Sequence, residues 1–242
     1  MKKLIILLCF ISVSLVLRAA NINPAKPRIL VFSKTQGFRH SAIEVGKAAI
    51  MKLGKENGFL VDTTENAAYF NNDGLKKYAA VVFLSTTGDI FNPAQKASFE
   101  KYIQAGGGFV GVHAATDTEY GWPWYGKLVG AYFVSHPKQQ MATLNVIDRS
   151  HISTKHLPAV WTRKDEWYNF KDINKDLKVL ITIDEKSYTG GINGEPHPMA
   201  WYHVYDGGRS WYTELGHTEE SYTDPLYLNH LLGGIQYAIG RK

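Results

Sequence analysis

Residues 106–117 carry the sequence GGGFVGVHAATD, in which a helix end, a strand and a sharp turn follow one another. The apolar run 109–112 is typical of a strand that is buried in a parallel sheet. Small residues flank His113, so we expect this side chain at the tip of the turn. In several α/β enzymes a Ser or Cys nucleophile stands at such a turn and faces the substrate. Because His113 occupies this position here, the turn favours a ligand site at the edge of the sheet and disfavours catalysis by a thiol or hydroxyl nucleophile.

Alternating strands and helices precede this turn. Apolar runs predict strands at residues 28–32, 59–64, 79–85 and 109–113. We predict one helix that begins at a capping box formed by Ser41 and Glu44, and another that begins at Pro93. This spacing is typical of βαβ units, so we predict an α/β fold with a mainly parallel sheet. Such folds bind ligands at the carboxyl edge of the sheet, which here collects the loops 33–40, 86–91 and 113–120.

The second half of the chain shows a different pattern. Further elements are predicted as strands at residues 141–147, 179–183, 200–205 and 210–215 and as a last helix at residues 226–239. We expect this half to extend the sheet and to fold loops over its rim. The glycines at 106–108 precede a strand rather than follow one, so they indicate a helix end and not a phosphate-binding loop. No nucleotide cofactor is therefore expected.

The first twenty residues have the features of a secretory signal peptide, with a basic start, an apolar run over residues 4–17 and small residues at the end. The run is shorter than the ~20 apolar residues that a membrane span needs, so we expect no stable span after cleavage. We predict a signal peptide at 1–20, a leader at 21–26 and one domain at 27–242. The expected location is the periplasm, after secretion across the inner membrane.

Cleavage would also change the composition of the chain. The single cysteine, Cys9, lies within the predicted signal peptide, so the mature protein has no thiol nucleophile and no disulfide. Loss of Lys2, Lys3 and Arg18 lowers the formal net charge from +5 to +2. This near balance gives no electrostatic reason to expect nucleic acid as a partner.

Five separated motifs resemble those of the trehalose-utilisation (ThuA-like) family. They are KTQGFRH at residues 34–40, GGGFVGVHAATD at 106–117, DEWYNF at 165–170, HPMAWYH at 197–203 and GHTEESY at 216–222. The resemblance implies a class I glutamine-amidotransferase-like fold over residues 27–242, which is a three-layer, flavodoxin-like, doubly wound sheet. It also implies a role in the metabolism of disaccharides and glycans, including keto-sugars. The amidotransferase turn that matches residues 111–115 holds a Cys, which His113 replaces here, so the resemblance does not imply glutaminase activity.

Histidines in the motif loops suit a mononuclear metal site. Neutral imidazoles together with a carboxylate bind zinc, or iron, manganese or nickel where the geometry is more open. The candidate ligands are His113, His136, His203 and His217, with Glu166 as the carboxylate. No pair of them has the helical spacing of a recognised metal motif, so the fold would have to bring them together. The cofactor that this interpretation expects is one divalent ion, zinc or another transition metal.

Acid–base catalysis without a metal would use the same side chains. A histidine with a pKa near neutrality can take a proton from a hydroxyl group or from a carbon beside a keto group. Glu166 would be the partner acid if Trp167 and Tyr168 shield it from water and so raise its pKa. The candidate catalytic residues are His113, Asp117, Glu166 and His217.

Aromatic and polar side chains of the motif loops are candidates for binding a small carbohydrate, because flat rings pack against the C–H faces of sugars. The candidates are Arg39, His40, Asp89, Trp122, Trp124, Tyr168, His197 and Glu220. Arg39 either forms a forked bond to the substrate or pairs with an acidic residue of the same rim. The aromatic loop 120–125 either walls a sugar subsite or makes a subunit contact in a homo-oligomer. His151, His156 and His230 are expected to be solvated or packed.

Two functions remain open on the sequence alone. The first is an exported enzyme, a hydrolase, lyase or isomerase, that acts on a disaccharide, glycoside or keto-sugar through a His-rich pocket. The second is a non-catalytic sugar-binding or assembly module on an inherited enzyme fold. A glutamine amidotransferase is not expected, because position 113 holds no Cys.

Overall fold

A mixed β-sheet of nine strands runs through residues 25–241, the part of the chain that the computed structural model describes. The strands of this part are β1 (Arg28–Phe32), β2 (Leu60–Thr64), β3 (Ala80–Leu84), β4 (Gly108–Val112), β5 (Tyr132–Ser135), β6 (Gln140–Val146), β7 (Val160–Asp165), β8 (Asn169–Lys171), β9 (Lys178–Ile183), β10 (His197–Tyr205) and β11 (Gly208–Thr213). Its α-helices are α1 (Ala42–Asn57), α2 (Asn72–Leu75), α3 (Pro93–Gln104), α4 (Pro123–Val129) and α5 (Pro225–Ala238). The predicted signal peptide at 1–20, and most of the predicted leader at 21–26, lie outside the described residues.

The first half of the sheet is parallel. Its strand order is β2-β1-β3-β4-β11, and each strand is parallel to its neighbours. β1 has the predicted bounds, and β2, β3 and β4 differ from the predicted ones by no more than one residue at either end. Every residue of β3 and β4 is buried. Strands covered on both faces are apolar throughout, which is why contiguous apolar runs located them.

The second half of the sheet is antiparallel. The order continues as β11-β10-β9-β6-β7, and each strand is antiparallel to its neighbours. The strands β5 and β8 form a separate two-stranded sheet. The sequence predicted β6, β9, β10 and β11 but neither β7 nor the pair β5 and β8. Arg163 and Asp165 are buried in β7, so its inner face lacks the apolar alternation that marks a strand.

Helices cover both faces of the sheet and make three layers. Along β11, Trp211 packs against Gly234 of α5, whereas Ser210 donates a hydrogen bond to the carbonyl of Leu128 in α4. Neighbouring residues of a strand point to opposite faces, so α4 and α5 enclose the sheet. The predicted three-layer, doubly wound α/β fold is confirmed, and the order of the parallel half is the flavodoxin-like one. Within residues 25–241 no helix combines the length and the apolarity needed to cross a membrane.

The predicted capping box at the start of α1 is wrong. Ser41 has helical dihedral angles, φ −64° and ψ −30°, and its side chain caps no backbone N–H group. Glu44 accepts hydrogen bonds from Arg39 and Lys47 instead, which engages it with neighbouring side chains rather than with the helix end. Helix α3 does begin with Pro93, as predicted.

Candidate functional site

Strand β4 ends in the sharp turn that the sequence predicts. His113 follows its last residue with a φ of +50°, in the left-handed region that residues other than glycine rarely adopt. Gly111 has no room for a side chain, since a Cβ atom there would lie 2.9 Å from the Tyr212 ring. Nδ1 of His113 is 2.8 Å from the carbonyl oxygen of Glu214, which can only accept, so Nδ1 carries the proton. The lone pair of Nε2 is therefore left for another partner.

Four side chains converge around this Nε2 atom. One ligand atom from each of His40, His113, Glu166 and His217 lies within 4.8 Å of the others. Nε2 of His113 is 3.1 Å from Nδ1 of His217 and 3.4 Å from Oε2 of Glu166. Nδ1 of His217 is 3.0 Å from the same oxygen. The ring of His40 packs edge-on against His113 and His217. We call these four side chains the histidine–glutamate cluster.

The topology explains three members of the cluster. His113 follows β4, His217 follows the adjacent parallel strand β11, and His40 ends the loop after β1. The carboxyl ends of parallel strands meet at one edge of a sheet, so these loops reach the same rim. Glu166 follows β7, the outermost strand of the antiparallel half. Glu166 directly follows the last residue of β7, so the end of this outer strand itself lies beside the loop after β11.

A buried aspartate, Asp165, ties the loop after β7 to the loop after β11. Its carboxylate accepts hydrogen bonds from the backbone N–H groups of Gly216 at 3.2 Å and His217 at 3.3 Å. It also accepts from the N–H group of Glu166 at 3.0 Å and from Arg163 at 3.1 Å. One fully buried carboxylate thus positions two members of the cluster. The sequence analysis missed this residue, although it begins the DEWYNF motif.

The carboxylate of Glu166 is ionised in this setting. Burial raises its pKa, but its contacts with His113 and His217 lower the pKa by more, and the net result lies well below the usual range. The expectation that Trp167 and Tyr168 raise this pKa is therefore wrong. Trp167 donates its indole N–H to the carbonyl of Gln140, and imidazoles rather than the indole meet the carboxylate.

His40 is a neutral imidazole. Burial, together with repulsion from His113 and His217, lowers its pKa to about 2. Its Nδ1 atom is buried and has no hydrogen-bond partner among residues 25–241. Metal ions bind the neutral form of histidine, so an unprotonated ring with an unpartnered nitrogen is suited to a ligand role. The sequence analysis proposed His40 for substrate binding, and the structure places it in the cluster instead.

The spacing of the cluster fits a divalent transition metal. Bonds of about 2.0–2.2 Å at tetrahedral or octahedral angles put neighbouring ligand atoms roughly 3.0–3.5 Å apart. The distances between His113, His217 and Glu166 are 3.0 to 3.4 Å. A metal-bound histidine usually donates its second ring N–H to a carbonyl or carboxylate, as His113 does to Glu214. The donor set and its surroundings therefore suit zinc or a similar ion.

His136 stands beside the cluster rather than within it. Its Nδ1 atom is 3.1 Å from Oε1 of Glu166 and 2.9 Å from the carbonyl oxygen of Pro137. Oε1 is the oxygen that does not contact His113 or His217. The imidazole is 42% exposed, so it borders the opening of the site. His136, which the sequence predicted as a metal ligand, thus contacts the Glu166 oxygen that faces away from His113 and His217.

The prediction of His203 as a metal ligand is wrong. His203 lies in β10 opposite Ser210 of β11, which lies opposite Phe109 of β4. Phe109 precedes His113 by four residues, which is about 13 Å along a strand. β10 runs antiparallel to β11, so the end of β10 lies at the other edge of the sheet. There Nε2 of His203 donates to the carbonyl of Lys127.

Arg39 forms an ion pair within the rim, one of the two interpretations that the sequence allowed. Its guanidinium makes a fork on Glu65, with both contacts at 2.9 Å, and reaches Glu44 at 2.8 Å. Two predicted substrate-binding carboxylates lie away from the cluster. Asp89 borders a cleft of about 420 Å³ that Glu65 also lines, and Glu220 borders a separate cleft beside α1.

The structure places Trp122 and Trp124, two predicted substrate-binding residues, against α3. Their rings stack on each other, with centroids 5.2 Å apart, and both pack against Phe99 of α3. The indole N–H of Trp122 donates to Glu100, and that of Trp124 donates to Asp206. The pair therefore packs against α3, and its polar atoms are satisfied there.

Tyr168 and His197 are buried supports rather than surfaces for a substrate. The Tyr168 ring lies 4.4 Å from that of His113 and only 2% of the residue is exposed. Its carbonyl accepts a hydrogen bond from Nε2 of the fully buried His197. Asp117 is half-buried, accepts a hydrogen bond from Tyr120 and has its pKa raised by burial. Within residues 25–241 it forms no hydrogen bond to the cluster.

Similarities to known proteins accord with this fold. A family model described as ThuA, trehalose utilisation, matches residues 28–238. A ThuA-like protein from Bacteroides uniformis ATCC 8492 is 26% identical, with a TM-score of 0.75 and coverage of 91% of this chain and 94% of that one. A ThuA-like protein from Parabacteroides merdae ATCC 43184 is 22% identical, with a TM-score of 0.74 and coverage of 89% and 91%.

A more distant likeness concerns the fold alone. A glutamine amidotransferase from Thermotoga maritima is 11% identical, with a TM-score of 0.51 and coverage of 89% of this chain and 99% of that one. No curated protein matches the chain. The predicted class I glutamine-amidotransferase-like fold is confirmed, with an imidazole at the turn after β4.

Proposed function

Because the chain belongs to the trehalose-utilisation (ThuA) family, we propose that it binds one divalent metal ion in the histidine–glutamate cluster and acts there on a carbohydrate. The observation that supports the proposal is the convergence of three imidazoles and one ionised carboxylate at the carboxyl rim. The family's description, trehalose utilisation, favours a disaccharide as the substrate, and we include glycosides and keto-sugars in the proposal. The proposed place of action is the periplasm, since residues 1–20 have the features of a signal peptide.

The cluster residues and His136 would have different roles in the proposed reaction. A bound divalent ion of this kind polarises a carbonyl or hydroxyl oxygen. Glu166 supplies the negative charge, and His40, His113 and His217 supply neutral nitrogen ligands. His136 donates from Nδ1 to the carbonyl of Pro137, so its Nε2 atom is a free acceptor on a half-exposed ring. That atom is suited to orienting a substrate hydroxyl group at the opening.

The deep burial of the cluster favours a second candidate function. His40 is 5% exposed, His113 is fully buried and Glu166 is 6% exposed. The side chain of His217 is 16% exposed, so three of the four ligands are closed to solvent. A fully closed set of four ligands is typical of structural metal sites, whereas catalytic sites keep one position open. A metal that only stabilises the rim of a sugar-binding module would satisfy the same geometry.

The substitution His113→Asn tests the proposal with little disturbance of the turn, because Asn tolerates the left-handed backbone that His113 adopts. We expect the wild type to retain about one zinc, manganese or nickel ion per chain, measured by mass spectrometry of metals. The variant should bind that ion at least about 100-fold more weakly and lose turnover of trehalose or keto-disaccharides. His156→Ala, which removes an imidazole that contacts Leu226 far from the cluster, is the control.

The outcomes separate the candidates. Metal binding and sugar turnover that both fail in His113→Asn support the enzyme. Metal binding without turnover of any of these sugars by the wild type supports the module. A wild type that retains no divalent ion, or a variant that retains it as tightly, contradicts the proposed metal site.

A further inference from the structure

Phe38 presents an exposed aromatic ring beside the histidine–glutamate cluster. It exposes 66% of its surface, compared with 41% for Tyr69, the next most exposed aromatic among the large hydrophobic residues that the structure describes. Single exposed apolar residues are common on protein surfaces, so it is the position of Phe38 against His40, rather than its exposure alone, that suggests a role. In the sequence, Phe38 stands in the KTQGFRH motif, where no pattern predicts a role for it.

The ring of Phe38 is one side chain away from the proposed metal position. Its centroid lies 4.9 Å from that of His40, with the two planes at 85°. On its other side, His40 meets His113 and His217 at centroid distances of 4.8 and 5.2 Å. A ligand that touches Phe38 is therefore close enough to extend to the cluster.

The backbone under Phe38 is held firmly. The hydroxyl of the fully buried Thr87 donates to the carbonyl of Phe38 at 2.9 Å and accepts from the N–H group of Gly37 at 3.2 Å. Gln36 donates its N–H to the carbonyl of Thr87 at 2.8 Å. On the other side, Arg39 is fixed by its fork on Glu65. The ring is thus presented by an ordered loop, which lowers the entropic cost of binding against it.

We propose that Phe38 is the platform on which a sugar ring of the substrate stacks, while an oxygen of that sugar reaches the histidine–glutamate cluster. A sugar ring has C–H faces, which pack on a flat aromatic ring, and hydroxyl edges, which suit the polar floor formed by the cluster. The proposal rests on the proposed function, since it needs a carbohydrate at the cluster. It assigns substrate selection to a residue that does not contact the metal position.

The test compares Phe38→Ala, Phe38→Leu and Phe38→Trp with the wild type, all loaded with zinc. The probes are trehalose, maltose, lactose and sucrose, with dissociation constants measured by calorimetry. For each sugar that the wild type binds, we expect about a tenfold rise in the dissociation constant for the Ala and Leu variants. The Trp variant should stay within about threefold, since it keeps a flat ring. Zinc content should be unchanged in all three.

Val204→Ala is the matched control, because Val204 is 70% exposed in β10 and contacts no member of the cluster. It should leave sugar binding unchanged. An exposed aromatic ring can also mediate contact between copies of the chain. Size-exclusion chromatography of each variant tests this alternative.

Each result decides between the proposals. Unchanged sugar affinity in Phe38→Ala, whether or not the oligomeric state changes, overturns the role of Phe38 and leaves the proposed function standing. A Leu variant that binds as tightly as the wild type overturns stacking as the cause. Zinc-loaded wild type that binds none of the four sugars contradicts the carbohydrate function itself, and the role of Phe38 with it.

Discussion

Two groups of buried histidines differ in the partners of their nitrogen atoms. In the cluster, His40 and His113 are 5% and 0% exposed, and outside it His197 and His230 are each 0% exposed. Burial therefore does not separate the groups, but the surroundings of their nitrogen atoms do. In the cluster, Nε2 of His113 lies close to both the imidazole of His217 and the carboxylate of Glu166. Nδ1 of His40 has no hydrogen-bond partner among the described residues.

The buried histidines outside the cluster have partners that keep them in place. In His230, Nδ1 donates to the carbonyl of Ser153 at 2.8 Å, and Nε2 accepts from the hydroxyl of Thr213 at 3.1 Å. Nε2 of His197 donates to a backbone carbonyl, and its Nδ1 is 2.8 Å from Glu185. A satisfied imidazole is part of the packing, whereas converging unsatisfied lone pairs indicate a ligand site. The comparison gives three predictions.

The largest effect is expected where the rim depends on Asp165. In Asp165→Asn one carboxylate oxygen becomes an amide NH₂ group, which faces the backbone donor of either Gly216 or His217, and Arg163 loses its charged buried partner. We expect zinc affinity to fall about 10- to 100-fold, because positioning groups contribute that much to metal sites. Unfolding free energy should fall by about 3 kcal/mol, since the loss of one partner leaves a buried charge. Calorimetric zinc titration and urea unfolding measure the two effects.

Asp224→Asn is the control for this variant. Asp224 is the second carboxylate near Arg163, at 3.4 Å, and it contacts neither Gly216 nor His217. This substitution should leave zinc affinity unchanged. An Asp165→Asn protein that folds and binds zinc as tightly as the wild type would show that Asp165 does not position the cluster.

The inner strands β1, β3 and β4 of the parallel half were predictable because they are almost entirely apolar. β1 has the predicted bounds, and the turn at His113 follows from a buried strand next to small residues. The loops after β1 and β4 were expected at one rim, which predicts that His40 and His113 lie near each other. His217 joins them because β11 is parallel to β4, a strand direction that the sequence did not predict.

The antiparallel half was less predictable for physical reasons. Whether the end of a strand lies at the rim depends on its direction, and His203 was misplaced because β10 runs against its neighbour. β7 escaped prediction because Arg163 and Asp165 pair with each other inside it, which hides the apolar pattern. Glu166 joins the cluster because the carboxylate of its neighbour Asp165 accepts from Gly216 and His217, a long-range contact that no local sequence pattern specifies.

A second prediction concerns acid stability and a buried histidine outside the cluster. Burial lowers the pKa of His230 to about 3, compared with 6.5 in the unfolded chain. Between these values the unfolded chain binds a proton that the folded protein does not, so stability falls as the pH drops below about 6.5, by about 1.4 kcal/mol per pH unit. His230→Gln removes this group, so between pH 7.5 and 5 the variant should lose about 2 kcal/mol less than the wild type.

Urea unfolding of the metal-free proteins across this pH range measures the difference, with chelator present so that metal binding does not contribute. Parallel curves for the two proteins would contradict a neutral, buried His230. If His230→Gln altered zinc affinity at pH 7.5, His230 would influence the cluster, and the two groups of histidines would not be independent.

The smallest effect is expected for His203→Ala, and it tests the comparison most directly. His203 is 5% exposed, as buried as His40, and it stands in a family motif that made it a candidate ligand. In the structure its ring donates one hydrogen bond to the carbonyl of Lys127, at the edge of the sheet away from the cluster. Its loss should cost about 1–2 kcal/mol of unfolding free energy, the typical penalty for leaving one buried acceptor unpaired.

Zinc affinity of His203→Ala should stay within about twofold of the wild type, because no hydrogen bond joins His203 to the cluster. Paired urea unfolding and zinc titration would show a protein that is less stable but equally able to bind the ion. If zinc affinity fell as far as in His113→Asn, His203 would affect the ion although it lies at the other edge of the sheet. His203 and His113 are both buried members of family motifs, and they differ in the end of the sheet that each residue occupies.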